Sequence, residues 1–124
     1  MARVLVLEDE PLIAMMMEDW LRELGHEPIG PVGSVSEALV LVESTRLDAA
    51  LLDVAIAGDT SYDVAERLRA DNVPFAFVTG RGSVQGSEEF RNAPLLAKPF
   101  DFAAFSERVT GLLAAETAIP RATP

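Results

Sequence analysis

Short apolar runs alternate with stretches of helical periodicity along most of the chain. Residues 3–7, Arg-Val-Leu-Val-Leu, are continuous, β-branched and apolar, the pattern of a strand buried on both faces of a parallel sheet. Beyond Glu8-Asp9-Glu10-Pro11, the residues Leu12, Ile13, Met16, Trp20, Leu21 and Leu24 recur at helical spacing. Pro11 suits a first helical turn and Gly25 suits the stop. Residues 26–32 make a weaker strand, interrupted by Pro28 and Gly30, with Pro31 and Gly33 at its exit. A second helix begins near Ser34 or Ser36, either of which can cap it, and turns Ala38, Leu39 and Val42 inward.

The next apolar run, residues 47–52, ends at Asp53. Residues 54–62 read as loop, with turn chemistry at Gly58-Asp59-Thr60-Ser61. Residues 62–70 read as a helix with Val64, Ala65 and Leu68 inward. Residues 74–78 form a fourth strand that ends at Thr79-Gly80, and residues 95–97 a short fifth, followed by Lys98-Pro99. Between them, residues 81–92 hold Gly82, Gly86 and several serines, with room for at most one short helix near 87–91. Asp101 caps a last helix whose apolar face is Phe102, Phe105, Val109, Leu112 and Leu113. The alternation predicts an α/β fold, a doubly wound parallel sheet of five strands with helices on both faces. One domain is expected over residues 1–116, with a tail at 117–124 that holds two prolines and no core pattern.

Composition narrows the function. A hydrophobic fraction of 49% in 124 residues is enough for a core, and a net charge of −10 disfavours direct contact with nucleic acid or an anionic membrane surface. No cysteine is present, which excludes disulfides, thiolate catalysis and Cys-based zinc sites; the single His26 reads as a surface residue between helix and strand. The N-terminal apolar run is too short for a signal peptide and stops at Glu8, so a cytoplasmic location is expected.

In an open α/β sheet, ligands bind beyond the carboxyl ends of the strands. Strand one delivers Glu8 and Asp9 there, strand three Asp53, strand four Thr79 and strand five Lys98. Crowded carboxylates repel one another and invite a cation, and hard oxygen donors suit Mg²⁺. A carboxylate can itself attack phosphorus, while a lysine neutralises charge and a hydroxyl bonds a phosphoryl oxygen. Each residue taken singly is more often a helix cap, a turn or a solvated loop residue. Five of the right type on the right strand ends make a different case.

These motifs resemble the receiver domain of two-component response regulators over about residues 2–115. They are VLVLEDE at 4–10, LLD at 51–53, FVTG at 77–80 and LAKPF at 96–100. The resemblance implies a flavodoxin-like sheet of order 2-1-3-4-5. It makes Asp53 the phosphoacceptor and gives Thr79 and Lys98 contacts with the phosphoryl group. It places Mg²⁺ among Glu8, Asp9, the Asp53 side chain and the Ala55 main-chain carbonyl, with Asp9 the direct ligand. The donor it implies is a phosphohistidine on a sensor histidine kinase or a histidine phosphotransfer protein. With no effector domain after the receiver, a stand-alone protein is expected that signals by protein contact, by phosphorelay or by competing for a kinase's phosphate.

The chain departs from the family's pattern in places. Glu8 stands where Asp is commoner, and its longer side chain can reach Mg²⁺ through water. Ala57 and Ser61 stand where receivers usually carry Pro and Gly, which predicts a more mobile loop. Leu95 occupies the position of an aromatic residue that usually follows the movement of the threonine. The segment PFAFVTG at 74–80 resembles the PFxFATGY signature of a subgroup of alphaproteobacterial single-domain receivers, with Val78 and Arg81 in place of Ala and Tyr. A short or mobile fourth helix in residues 81–92, ordered on activation, is therefore expected. Arg81 is either a control on access and dephosphorylation or a solvated loop cation. Trp20 and Met15 to Met17 read as core and helix surface, and the alanine-rich outer face of the last helix offers a surface for a homodimer or a kinase contact.

Other functions fit less well. A pseudo-receiver that no longer uses phosphate is at odds with intact Asp9, Asp53, Thr79 and Lys98. A dinucleotide-binding oxidoreductase needs a glycine-rich turn after strand one, where Glu8-Asp9-Glu10-Pro11 stands. A phosphatase of the haloacid dehalogenase type wants a second Asp two residues after the nucleophile, and position 55 is Ala. A phosphoacceptor signalling domain, rather than a turnover enzyme, is the resulting expectation.

Overall fold

The computed structural model describes residues 1–80 and 90–118. In chain order the elements are β1 (Arg3–Leu7), α1 (Pro11–Glu23), β2 (Glu27–Val32), α2 (Val35–Ser44), β3 (Ala49–Asp53), β4 (Ala55–Ile56), β5 (Asp59–Thr60), α3 (Tyr62–Ala70), β6 (Phe75–Thr79), β7 (Leu95–Ala97) and α4 (Phe102–Ala118). Five of the strands form one parallel sheet of order β2-β1-β3-β6-β7. This is the expected 2-1-3-4-5 order once the small hairpin β4–β5 is set aside.

The period-2 geometry of a strand divides each apolar run between two cores. Leu5, Leu7, Ala50, Leu52, Phe75 and Phe77 face one side, where α2 and α3 cover them with Ala38, Val42, Val64, Ala65 and Leu68. Val4, Val6, Ala49, Leu51, Ala76 and Val78 face the other, under Met17 and Leu21 of α1 and Phe105, Val109 and Leu112 of α4. Burial on both faces is why the runs carry no polar alternation. Trp20 completes the second core by edge contacts with Phe100, Phe102 and Phe105.

Local chemistry explains several boundaries. Pro11 opens α1. Ser34 rather than Ser36 caps α2, its Oγ accepting the Glu37 N–H at 3.2 Å. Asp101 Oδ1 accepts the Ala104 N–H at 2.9 Å at the start of α4. That helix reaches Ala118, two residues into the stretch expected as tail.

Two expectations are corrected. Leu12 is 75% exposed, whereas Leu21 is buried and Ile13, Trp20 and Leu24 pack against the core as expected, joined by Ala14 and Met17. At about 100° per residue Leu12 lies nearly opposite Leu21, so it falls on the outer side of the helix. Residues 54–62 are not simply loop. Ala55 pairs with Thr60 and Ile56 with Asp59 in an antiparallel hairpin, closed by Ala57 (φ 51) and Gly58 (φ 82). Two positive φ angles match the twist of a two-residue hairpin turn, and fully buried Ile56 pins the hairpin to the core. Ala in place of the usual Asn or Asp before the Gly hid the turn from the sequence pattern. The expected fourth helix and Arg81 fall mainly on residues 81–89, outside the described residues. Phe90, 2% exposed, packs against Tyr62, Phe75 and Phe77, a core role that the pattern did not single out.

Candidate functional site

Parallel register aligns the strand ends. Leu7 lies beside Leu52, Asp53 beside Val78 and Thr79 beside Ala97, so the residues at and just after these positions meet at one edge of the sheet. Glu8 and Asp9 follow β1, Asp53 closes β3, Thr79 closes β6 and Lys98 follows β7. The Lys98 N–H donates to the Thr79 carbonyl at 2.9 Å, which locks the last two strand ends together.

Carboxylate oxygens of Glu8, Asp9 and Asp53 lie within 4.8 Å of one another. Glu8 is 3% exposed and Asp53 8%, while Asp9 faces solvent. Lys98 Nζ stands 3.1 Å from Glu8 Oε1 and 3.4 Å from Asp53 Oδ2. Glu8 Oε2 accepts the Glu10 N–H at 3.1 Å, and Asp9 Oδ2 accepts the Ala57 N–H at 3.0 Å. Thr79 is buried at the end of β6. Ala55, exposed, opens β4 two residues beyond Asp53.

The electrostatics follow from this crowding. Burial, and next the charge of Glu8, raise the Asp53 carboxyl to about 6, with Lys98 pulling the other way. That value still lies below neutral pH, so the ionised form remains available there. Burial alone would lower the Lys98 ammonium, but its hydrogen bond and charge contact with Glu8, and its contacts with Asp53, outweigh that and raise it. Lys98 therefore remains a cation that two acids share, and it lies nearer to Glu8 than to Asp53.

Among the described residues, three carboxylates and one ammonium leave negative charge in excess, and the buried Glu8 Oε1 has Lys98 Nζ 3.1 Å away. An all-oxygen donor set with excess negative charge fits a small hard dication such as Mg²⁺. The structure thus brings together Glu8, Asp9, Asp53, Thr79 and Lys98. The main-chain donors from Glu10 and Ala57 were not foreseen, because a backbone N–H leaves no mark in a sequence. His26 lies at the other end of the sheet, where its Nδ1 accepts the Ala2 N–H at 3.2 Å. Leu95 is partly buried against the core shared by Phe77 and Phe90.

The sequence profile of the response regulator receiver domain matches residues 4–110. The chain belongs to the response regulator receiver domain family. It is similar to SdrG from Sphingomonas melonis Fr1, whose solution structure superposes with a TM-score of 0.80 at 43% identity, covering 91% of this chain and 97% of that one. The receiver domain of the sensor histidine kinase PA1611 from Pseudomonas aeruginosa PAO1 superposes with a TM-score of 0.79 at 26% identity, over 91% and 98% of the two chains, and holds a magnesium ion in its active-site cleft. The phyllosphere-induced regulator PhyR of Methylorubrum extorquens is 38% identical over 101 residues, 78% of this chain and 38% of PhyR. The chain spans half or less of the length of the curated relatives it matches. Receiver domains are signalling domains of two-component systems that interact with histidine kinases. Among the described residues, no helix of this receiver is long and apolar enough to cross a membrane.

Proposed function

We propose that this receiver accepts a phosphoryl group on Asp53 from the phosphohistidine of a sensor kinase or phosphotransfer protein in the cytoplasm. The observation that carries the reading is the buried Asp53 carboxylate at the end of a central strand, with two further carboxylates within 4.8 Å and Lys98 Nζ at 3.4 Å. An ionised Asp53 oxygen attacks phosphorus; the P–O bond forms as the P–N bond to the imidazole breaks, and the leaving imidazole nitrogen takes up a proton. Such a transfer needs positioning and charge neutralisation more than covalent assistance.

Glu8, Asp9, Asp53 and the Ala55 carbonyl are the groups proposed to hold Mg²⁺, which when bound neutralises phosphoryl charge. Lys98 already pairs with Asp53 and Glu8, and it follows the charge when the Asp53 carboxylate becomes an acyl phosphate. The Thr79 hydroxyl supplies a hydrogen bond to a phosphoryl oxygen. The domain makes and loses its own acyl phosphate without a separate output reaction, and it passes the signal on by protein contact or by relay to a further histidine. Phosphotransfer from a labelled histidine kinase with Mg²⁺ tests this. Label is expected on wild type and absent from Asp53→Asn, and label retained by that variant would refute the assignment.

A further inference from the structure

We propose that Ala57 is a positioning residue for the cation site, acting through its main-chain N–H on the Asp9 carboxylate. The inference deepens the reading above and rests on it.

Asp9 is exposed, on the connection between β1 and α1, where a short carboxylate has several rotamers open to it. Its Oδ2 accepts the Ala57 N–H at 3.0 Å, across 48 residues of sequence. A hydrogen bond from a neutral N–H to an ionised oxygen is among the stronger kinds, and it selects one rotamer. The donor is held in turn. Ala57 is the first residue of the β4–β5 turn, with φ 51, a left-handed backbone that L-residues other than Asn, Asp and His rarely adopt. Ile56, fully buried, anchors the preceding position in the core. The Ser61 N–H closes the base of the hairpin on the Val54 carbonyl at 3.0 Å, and the Val54 N–H reaches the Val78 carbonyl at 3.3 Å. The hairpin is therefore a braced arm running from the strand that carries Asp53 to the loop that carries Asp9.

The sequence departure at this position gains a meaning. Proline has no N–H and its ring holds φ near −65°. It could neither make this hydrogen bond nor adopt this turn. Alanine does both, so in this chain the loop beside the phosphoacceptor is a ligand-orienting element, not a merely looser one.

The test is calorimetric titration of the full chain with Mg²⁺, with backbone NMR to confirm the fold. Ala57→Gly keeps the N–H and relaxes the left-handed backbone, and its affinity is expected within about twofold of wild type. Ala57→Pro removes the N–H and forbids the turn, and is expected to weaken Mg²⁺ binding about tenfold. Where the proline variant loses the hairpin altogether, replacing Ala57 by its α-hydroxy acid exchanges only N–H for O, and the same loss is expected. A folded ester variant that binds Mg²⁺ as tightly as wild type overturns the positioning role. Wild type that fails to bind Mg²⁺ at millimolar concentration overturns the cation site and the positioning role together. An unaffected ester variant of a wild type that does bind the ion and accepts label on Asp53 removes the positioning role alone.

Discussion

The two ends of the sheet handle charge in opposite ways. At the amino ends of β1, β2 and β3, acids and bases are matched. The Arg3 N–H donates to Asp48 Oδ2 at 2.8 Å, Arg46 Nη1 reaches Asp48 Oδ1 at 2.8 Å, and Arg3 Nε lies 3.6 Å from Glu27 Oε1. His26 sits among them as a neutral acceptor for the Ala2 N–H. At the carboxyl ends, three carboxylates cluster at Glu8, Asp9 and Asp53, and among the described residues Lys98 is the ammonium that pairs with Glu8 and Asp53. The Asp53 carboxyl is pushed up to about 6 by burial and by Glu8. One end is arranged for stability, whereas the other is held in electrostatic tension that a cation and a phosphoryl group would relieve.

Neutralising the crest should break this contrast most strongly. Asp53→Asn is expected to abolish phosphoryl uptake and yet stabilise the fold. The carboxyl is raised from 3.8 to about 6, so burying its charge costs on the order of 3 kcal/mol near pH 8, of which roughly 1–3 should be recovered. Urea unfolding at that pH measures it, and a variant less stable than wild type would mean that the crest is not strained.

Mg²⁺ should act in the same direction on the intact chain. At about ten times its dissociation constant the ion is expected to add roughly 1.4 kcal/mol, seen as a rise in Tm. Na⁺ at equal ionic strength should not reproduce the gain.

Acidification should move the two ends apart. Asp53 binds a proton more readily folded than unfolded, so its penalty fades and stability rises as pH falls through about 6 towards 3.8. His26 is lowered, first by burial and then by the N-terminal amino charge, with Asp48 opposing. Its contribution is complete above about 6.5 and is lost as pH falls from there towards its folded value. Stability profiles of Asp53→Asn and His26→Gln against wild type should each remove one of these opposed slopes. Unchanged slopes in both would show that neither group drives the pH response.

The smallest effect is expected from the hairpin. Ala57→Gly should gain about 0.5–1 kcal/mol by relieving the left-handed backbone at φ 51. A loss on this substitution would mean that the alanine methyl packs favourably in the turn.

Most of the architecture was legible because it is local. The apolar runs at 3–7, 47–52 and 74–78 needed no partner to declare themselves, and Pro11, the serines at 34 and 36, and Asp101 mark helix starts by their own chemistry. The site was legible as a set of residue types at strand ends, and the sheet brings Glu8, Asp9, Asp53 and Lys98 close together. The edge of the apolar face of α1 was less so, since Leu12 is exposed while Ala14 and Met17 join Ile13, Trp20, Leu21 and Leu24 against the sheet. The β4–β5 hairpin was missed because its turn uses Ala-Gly in place of a stronger turn pair.

The sequence by itself determined which residues are buried along the central strands β1, β3 and β6 and which polar groups stand at their ends, because both are read within a few positions. Only the tertiary structure decided how those groups divide their charge. Lys98 and Asp53 are 45 residues apart in the chain, and the parallel register brings them within 3.4 Å. The same register gives Glu8 the shorter contact with Lys98 and swings the Ala57 N–H onto Asp9. Charge coupling depends on separation in space and on burial, and neither exists until the sheet has formed.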